Sequence, residues 1–383
     1  MVLRDLALAR LTDAQLAAWR HVEKSVGNRQ NGTLTDVIRI LSSYGCSAQK
    51  YDAAADGIRN HARVIVHFHP DRIGIKTSTV AESLLTDGKY LSQFETGLSS
   101  GSLTAFPGGL RDTWEKALFG GAYHRPGVSL NERPKYGALE LVRYPDGPWP
   151  RFGSCYMVLK QVVSWRTSFT FSGSEQPDAT DRLGTIDQIA PVLAPLLDEV
   201  RNGALAQIQW PPFVAPTLGV RHLTVPALLN LLTGDLAKPR MNPSTGVPGR
   251  VLDTGIEAQV HGPIDLERDV ERLVVDPSFA STPTGDHLNE IARKYGLPID
   301  WHPGFCLEAR EVPAEFRGPA IPKLAQRIAA DGIVNAAVVG AAQRSLRLRP
   351  DEWLGWGDRA DILQHLKQIW HVLVYYGRPE IKC

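Results

Sequence analysis

Alternation of apolar and polar positions marks three stretches of this chain as strands with two distinct faces. In the first, Val64, Val66 and Phe68 share one face and Ile65, His67 and His69 the other, until Pro70 stops the run. In the second, Phe169 and Phe171 oppose Ser168, Thr170 and Ser172. In the third, Ile256, Ala258 and Val260 oppose Glu257, Gln259 and His261. Further strands are predicted over residues 137–144 and 154–160, separated by a Pro-Asp-Gly-Pro turn. A solvated edge strand would carry the same alternation, so the polar faces have value only through what they face.

Elsewhere the period is helical. A capping box at Thr12 to Gln15 opens a first helix with Leu16, Trp19 and Val22 on one side. A second helix is predicted from Thr33 or Thr35 through Leu41, and a third over 51–61. Helices follow at 112–119, 185–200, 224–236, 266–275, 286–295, 321–330 and 359–376, the last carrying Leu363, Leu366, Trp370 and Leu373 on one stripe. Trp353, Trp356 and Trp370 read as packing anchors. Two segments, 95–109 and 238–249, are too rich in glycine, proline and hydroxyls for packed core. These elements predict an α+β protein: an N-terminal helical unit over 1–60, a strand-rich domain over 61–275 and a C-terminal helical region over 276–383.

Composition narrows the function classes. The 383 residues are 43% hydrophobic and 22% charged, with a formal net charge of +1. That balance supplies no global field to recruit nucleic acid or an acidic membrane surface. Cys46, Cys155, Cys306 and Cys383 lie far apart without CxxC spacing, which reads as idle thiols in a reducing compartment. The first 20 residues lack the apolar core of a secretory signal, and no run nears the roughly 20 apolar residues that span a bilayer. The expectation is a soluble, cytoplasmic protein, or one exported by a signal-independent route.

Three readings of the chemistry compete. His67, His69 and Asp71 form an HxHxD pattern at a strand end, to which His261 or His124 would add a zinc ligand for hydrolysis. Arg72, immediately after Asp71, works against binding a dication. In the second reading Arg72 holds a phosphate, helped by the glycine-rich loop with Gly97 and Gly101, by the N-terminus of the helix over 112–119, and by an aromatic, Tyr123, able to stack on a planar heterocycle. In the third, the polar strand faces line a groove that binds without catalysis.

The order Arg72, then the hydroxyl strand with Ser168 and Thr170, then Glu257, resembles the Arg-Ser-Glu class of the ADP-ribosyltransferase superfamily. The blocks His67 to Arg72, Phe94 to Tyr123, Arg133 to Leu139, Arg151 to Tyr156 and Ile256 to Gly262 resemble a bacterial family labelled as a domain of unknown function and placed in that superfamily. The resemblance implies a split β-sandwich around an NAD cleft, and a toxin, effector or housekeeping enzyme that transfers ADP-ribose from NAD to an acceptor, a protein side chain first, with NAD glycohydrolase activity alongside. Glu257 would then stabilise the oxocarbenium-like transition state through the ribose 2′-hydroxyl, and Arg72 would hold pyrophosphate or ribose. Ser168 and Thr170 would orient the glutamate, Tyr123 would stack on nicotinamide, Gly97 and Gly101 would line the cofactor, and Gln259 or His261 would meet the acceptor. Glu140 and Glu95 are the second-choice carboxylates. Relatives that modify arginine or asparagine carry Gln or Glu two residues before the catalytic glutamate; Gly255 stands there, leaving an atypical side chain, a small molecule or water as acceptor.

Overall fold

The computed structural model describes residues 3–74, 78–97, 105–202, 223–236, 238 and 255–380. Eight strands form one mixed sheet: β1 (Arg63–Phe68), β2 (Lys135–Glu140), β3 (Cys155–Leu159), β4 (Thr167–Phe171), β5 (Leu183–Thr185), β6 (Ile256–Val260), β7 (Val270–Val275) and β8 (Ile299–Trp301). Their spatial order is β8-β7-β3-β1-β2-β6-β4-β5, antiparallel throughout except for the parallel β7–β8 pair. The longer helices are α1 (Asp13–Ser43), α2 (Ala48–His61), α3 (Val80–Asp87), α4 (Leu110–Leu118), α5 (Ala190–Arg201), α6 (Pro283–Tyr295), α7 (Ala320–Ile328), α8 (Ala336–Leu348) and α9 (Arg359–Tyr376). The fold is therefore mixed helix and sheet, consistent with the expected α+β class. The ladder runs unbroken between its two edges, where the sequence led to two facing sheets.

The alternation read from the sequence is what the strands use. On β1, Val64, Val66 and Phe68 enter the main core, while Ile65 packs in a separate cluster with Tyr156, Val158 and Val274. On β4 and β6 the apolar partners Phe169, Phe171, Ile256, Ala258 and Val260 belong to that main core. The opposite, polar faces are also buried: Ser168, Thr170 and Gln259 have no exposed surface. A solvated edge face is thereby ruled out for both strands.

Three expectations are corrected. The two helices predicted before residue 43 are one, α1, which stays unbroken through Gly27 and Gly32. A glycine costs a helix only about 1 kcal/mol, and α1 packs against α5 and β5. The segment 266–275 makes a single helical turn, Leu266–Asp269, and then strand β7. Val270, Leu273, Val274 and Val275 are buried there, β7 being paired on both sides by β3 and β8. Because β8 lies past residue 275, sheet and core both cross the expected domain boundary. Cys46 and Cys155 are free and buried, but Cys306 is disulfide-bonded, against the expectation of idle thiols throughout. Among the described residues no helix is long and apolar enough to cross a membrane.

Glu140, one of the second-choice carboxylates, sits opposite Arg63 in the β1–β2 ladder and is 2% exposed. One of its carboxyl oxygens has no hydrogen-bond partner. Burial pushes its pKa up to about 7 against the opposing pull of Arg143, Arg272 and Arg63. The folded state thus holds this proton more tightly than the unfolded chain, and stability contributed at low pH is lost as pH rises toward and through 7. Glu140→Gln is expected to match wild type near pH 5 and to exceed it at pH 8 by on the order of 1–3 kcal/mol in urea denaturation. A difference that does not change with pH would refute this.

Candidate functional site

A cleft of about 1050 Å³, including its part open to solvent, is lined by the end of β1, the first residues of β2 and Glu257 of β6. Pro70 stops β1, and the chain turns so that the amides of Ala81 and Val80 bond the carbonyls of Pro70 (2.8 Å) and Arg72 (2.9 Å). This ties α3, opened by a capping box at Thr79, to the segment that presents Arg72. Arg72 and Glu257 both line the cleft. With them stand two further cations, Lys89 and Arg111, and the rings of Tyr90, Tyr136 and Trp149.

Glu257 is held from behind by a chain of hydrogen bonds that uses the whole polar face of β4 and β6. Register places Ser168 opposite Gln259 and Thr170 opposite Glu257. The Tyr123 hydroxyl lies 2.6 Å from Nδ1 of His261, and Nε2 of His261 lies 3.2 Å from Ser168 Oγ. Ser168 donates to Gln259 Oε1 at 2.8 Å, and Gln259 donates from Nε2 to Thr170 Oγ1 and Glu257 Oε1, both at 3.0 Å. Burial, with Arg166 and Lys135 nearby, pushes the His261 pKa down to about 3, so the ring is neutral and each nitrogen has one role. With Tyr123 donating to Nδ1 and Nε2–H donating to Ser168, every donor in the chain points toward the Glu257 carboxylate. The Ser174 amide adds a bond at 3.2 Å.

Burial raises the Glu257 pKa above its usual range, opposed by Arg111 and by the Gln259 and Ser174 bonds. Arg111 is the counter-charge. Its guanidinium stacks 4.2 Å over Tyr136 and 5.3 Å from the Trp114 ring. Burial lowers its pKa, but Tyr136, Glu257 and Glu115 outweigh this and hold it charged. Behind it, Arg133 bridges Asp112 at 2.6 Å and Glu115 at 2.8 Å, and the Tyr136 hydroxyl donates to Glu115 at 2.8 Å.

The structure thus brings Arg72 and Glu257 to one cleft and puts Tyr123, Ser168, Thr170, Gln259 and His261 behind it. Tyr123 is buried against Phe119 and stacked on His261, so its ring face is not open to a nicotinamide. Gln259 and His261 have no exposed surface and cannot meet an acceptor directly. Ser168 and Thr170 act on Glu257 through Gln259 rather than from the cleft wall. Gly97 caps the short helix Gln93–Thr96 in the left-handed region, φ 61°, next to Thr96 of the lining; Gly101 and the 238–249 loop beyond Lys238 lie outside the described residues. Glu95 is spent on the Ser92 capping box.

The HxHxD side chains diverge. Both ring nitrogens of His67 face backbone carbonyls, Gly153 at 3.2 Å and Pro148 at 2.6 Å. The His69 ring meets the edge of Trp370 at 5.3 Å. Asp71 packs on α8 so closely that a Cβ on Gly340 would lie 1.3 Å from its carboxyl oxygen. His124 pairs with Asp112 at 2.9 Å and His261 serves the hydrogen-bond chain. Among the described residues no group of three or more His, Cys, Asp or Glu is placed to hold a metal ion.

A family model described as "Protein of unknown function (DUF3626)" matches residues 63–376, which covers the whole sheet and the cleft. The chain belongs to this family. No curated protein matches it. The family match begins at β1 and ends with α9, so Arg72, Arg111 and Glu257 all fall inside the family's span.

Lys89, Tyr90, Arg111, Tyr136 and Trp149 are among the lining residues to which sequence reasoning assigned no role. Arg111 carried a usable signal, a cation in the first turn of the helix that follows the glycine-rich loop. Trp149 carried none. It stands at φ 55°, and its indole occupies the space a side chain at 255 would need, 2.6 Å from a Cβ built on Gly255. For the buried chain, Ser168→Ala is expected to leave His261 and Gln259 each short of a partner and to destabilise the protein by about 1–3 kcal/mol. A solvated hydroxyl would cost within about 0.5 kcal/mol; a urea midpoint shift of that smaller size would remove the chain's structural importance.

Proposed function

We propose that this chain cleaves the nicotinamide–ribose bond of NAD and transfers ADP-ribose to an acceptor, a protein side chain in the first instance, with hydrolysis of NAD as the side reaction. The observation that carries the reading is the meeting of Arg72 and Glu257, from strands in different halves of the chain, on one cleft lined by aromatic rings. Three cations against one carboxylate suit a ligand whose phosphates are anionic and whose reacting sugar becomes cationic. As the glycosidic C–N bond breaks, its electron pair leaves with nicotinamide and positive charge develops on the ribose. The Glu257 carboxylate stabilises that charge and holds the 2′-hydroxyl; Arg72 takes pyrophosphate oxygens as a fork of donors. The acceptor then bonds to the anomeric carbon and loses a proton.

The ADP-ribosyltransferase-like fold belongs to the same proposal. In its favour, β1 and β6 lie one strand apart and turn functional groups toward one cleft; the unbroken eight-stranded ladder stands against its two-sheet form. Trp149 fills the place beside Gly255, so an acceptor would meet an indole there instead of a carboxylate or amide. Action in the cytoplasm, or as an exported effector, is part of the proposal and is not tied to any feature of the cleft.

Glu257→Gln is expected to lower NAD turnover about 10²–10³-fold while preserving the Gln259 and Ser174 contacts and hence the thermal midpoint. Wild-type turnover should rise with pH as Glu257 ionises, with a midpoint above the ordinary carboxylate range because burial raises its pKa. A chelator should change nothing. Labelled NAD followed into lysate protein, wild type beside the variant, is the measurement. Full turnover by Glu257→Gln, or none by wild type, would end this reading.

A further inference from the structure

Two side chains of the cleft lining, His69 and Tyr90, keep polar atoms that the protein leaves open. His69 follows β1, and the turn at Pro70 lets the Arg72 amide bond the His69 carbonyl at 3.4 Å. Tyr90 reaches the same cleft by another route. The Arg72 carbonyl accepts from Val80 at the start of α3 (2.9 Å), and α3 ends at Gly88, φ 65°, just before the two-residue strand Lys89–Tyr90. That strand pairs with Asp265 and Ile264, which fixes where the phenol stands. His69, Arg72 and Tyr90 all line the cleft, and Arg72 acts electrostatically on both of the others.

Several other polar groups of the lining are occupied. Both nitrogens of His67 face carbonyls, the Tyr136 hydroxyl donates to Glu115, and Ser83 donates to Asp87 at 3.0 Å. His69 differs. Its ring meets Trp370 edge to face at 5.3 Å, and among the described residues neither of its nitrogens has a hydrogen-bond partner. The Tyr90 hydroxyl has none there either. Both residues are half-buried and line the cleft, which leaves the partners to a ligand or to water. Neither carries charge near neutral pH. Burial, then Arg72, His67 and His371, holds the His69 pKa well below its usual value, so the ring offers one donor and one acceptor. Burial pushes the Tyr90 pKa up to about 12 against the pull of Arg72, so its hydroxyl keeps its proton.

These two groups ask for a particular ligand chemistry. A phosphate offers acceptors only, and would set its charge against the lone pair of a neutral imidazole. A sugar hydroxyl both donates and accepts, so neighbouring hydroxyls match His69 and Tyr90 together. We propose that His69 and Tyr90 form a hydroxyl-binding subsite beside Arg72, which takes the diol of a ribose and selects against a phosphate on that ribose. Resting on the reading of NAD as substrate, this is the adenosine ribose, since the reacting ribose stands at Glu257, and the cleft selects NAD over NADP. Lys89, next to Tyr90 in the chain, has a side chain 59% exposed and 3.9 Å from Asp265, so it adds little attraction for a 2′-phosphate.

Calorimetric titration of ADP-ribose and of 2′-phospho-ADP-ribose into the full chain tests this, with kcat and KM for NAD hydrolysis measured beside it. Wild type is expected to bind ADP-ribose about 10-fold or more tighter than its 2′-phosphate. Tyr90→Phe removes only a hydroxyl without a partner, and His69→Phe keeps a ring against Trp370, so both should hold the thermal midpoint. Each should weaken ADP-ribose binding and raise KM about 3- to 10-fold with kcat unchanged, and narrow the preference between the two ligands. His69→Gln, which keeps a neutral donor and acceptor, should retain most of the affinity. This binding pattern without any NAD turnover supports the subsite and ends only the proposed reaction. Wild-type affinity in either Phe variant, equal binding of the two ligands, or no binding of ADP-ribose overturns the subsite; NAD turnover by the same preparation then leaves the proposed reaction standing.

Discussion

Strand β6 sits third from one edge of the sheet with both of its faces buried, and the polar face it carries constrains everything around it. Glu257, Gln259 and His261 must each find partners within the protein, because an unpaired buried group costs about 1–3 kcal/mol and a charged one more. The solution is directional. Tyr123 donates into His261, His261 into Ser168, Ser168 into Gln259, and Gln259 into Glu257, so the chain can end only on an acceptor. A carboxylate at the end of such a chain is fixed in rotamer and favoured in its ionised form, against the burial that favours the proton. The same residues therefore stabilise the sheet and orient the one group that reaches the cleft.

That constraint also explains what was legible in the sequence. Strict alternation identified the faces of β1, β4 and β6, because a period of two leaves no freedom over which residues share a side. It could not say whether a polar face meets water or other polar faces. That depends on pairing β4 with β6, strands separated by the long segment between residues 171 and 256. The roles given to Tyr123, Gln259 and His261 were displaced for this reason: the right residues converge, but inward from the cleft wall. Segment 266–275 misled because Leu266, Val270 and Leu273 fit a helical stripe as well as a strand. Its capture by β3 and β8 is a tertiary effect that local pattern does not contain. Lining residues such as Tyr136 and Trp149 owe their place to register and to a left-handed turn, neither of which composition records.

The fate of the HxHxD run follows from where β1 lies. Near the centre of the sheet, its side chains are claimed by whatever covers each face: His67 by the carbonyls of the 148–153 turn and by Tyr156, His69 by Trp370, Asp71 by the backbone of α8. Three ligands for one ion would have to point the same way, and each of these is packed against a different element. Of the two charged residues that end this run, Asp71 is packed away and Arg72 lines the cleft, beside His67 and His69.

A net charge of +1 conceals a strong internal segregation. Arg133 bridges both Asp112 and Glu115 behind Arg111, while Arg72, Arg151 and Arg317 bear on Lys367 of α9. The cleft lies between these two regions, with Glu257 and its counter-charge toward the first and Arg72 toward the second. A ligand spanning it would therefore meet a carboxylate at one end and several cations at the other. That polarity selects for a molecule with an anionic group at one end and a site of developing positive charge at the other, separated by roughly the reach from β6 to the end of β1. Two ladder spacings of about 4.8 Å set the lateral part of that separation across β2, and because Glu257 is in register with Ile65 through Ala138, Arg72 is displaced from it along the strand direction as well.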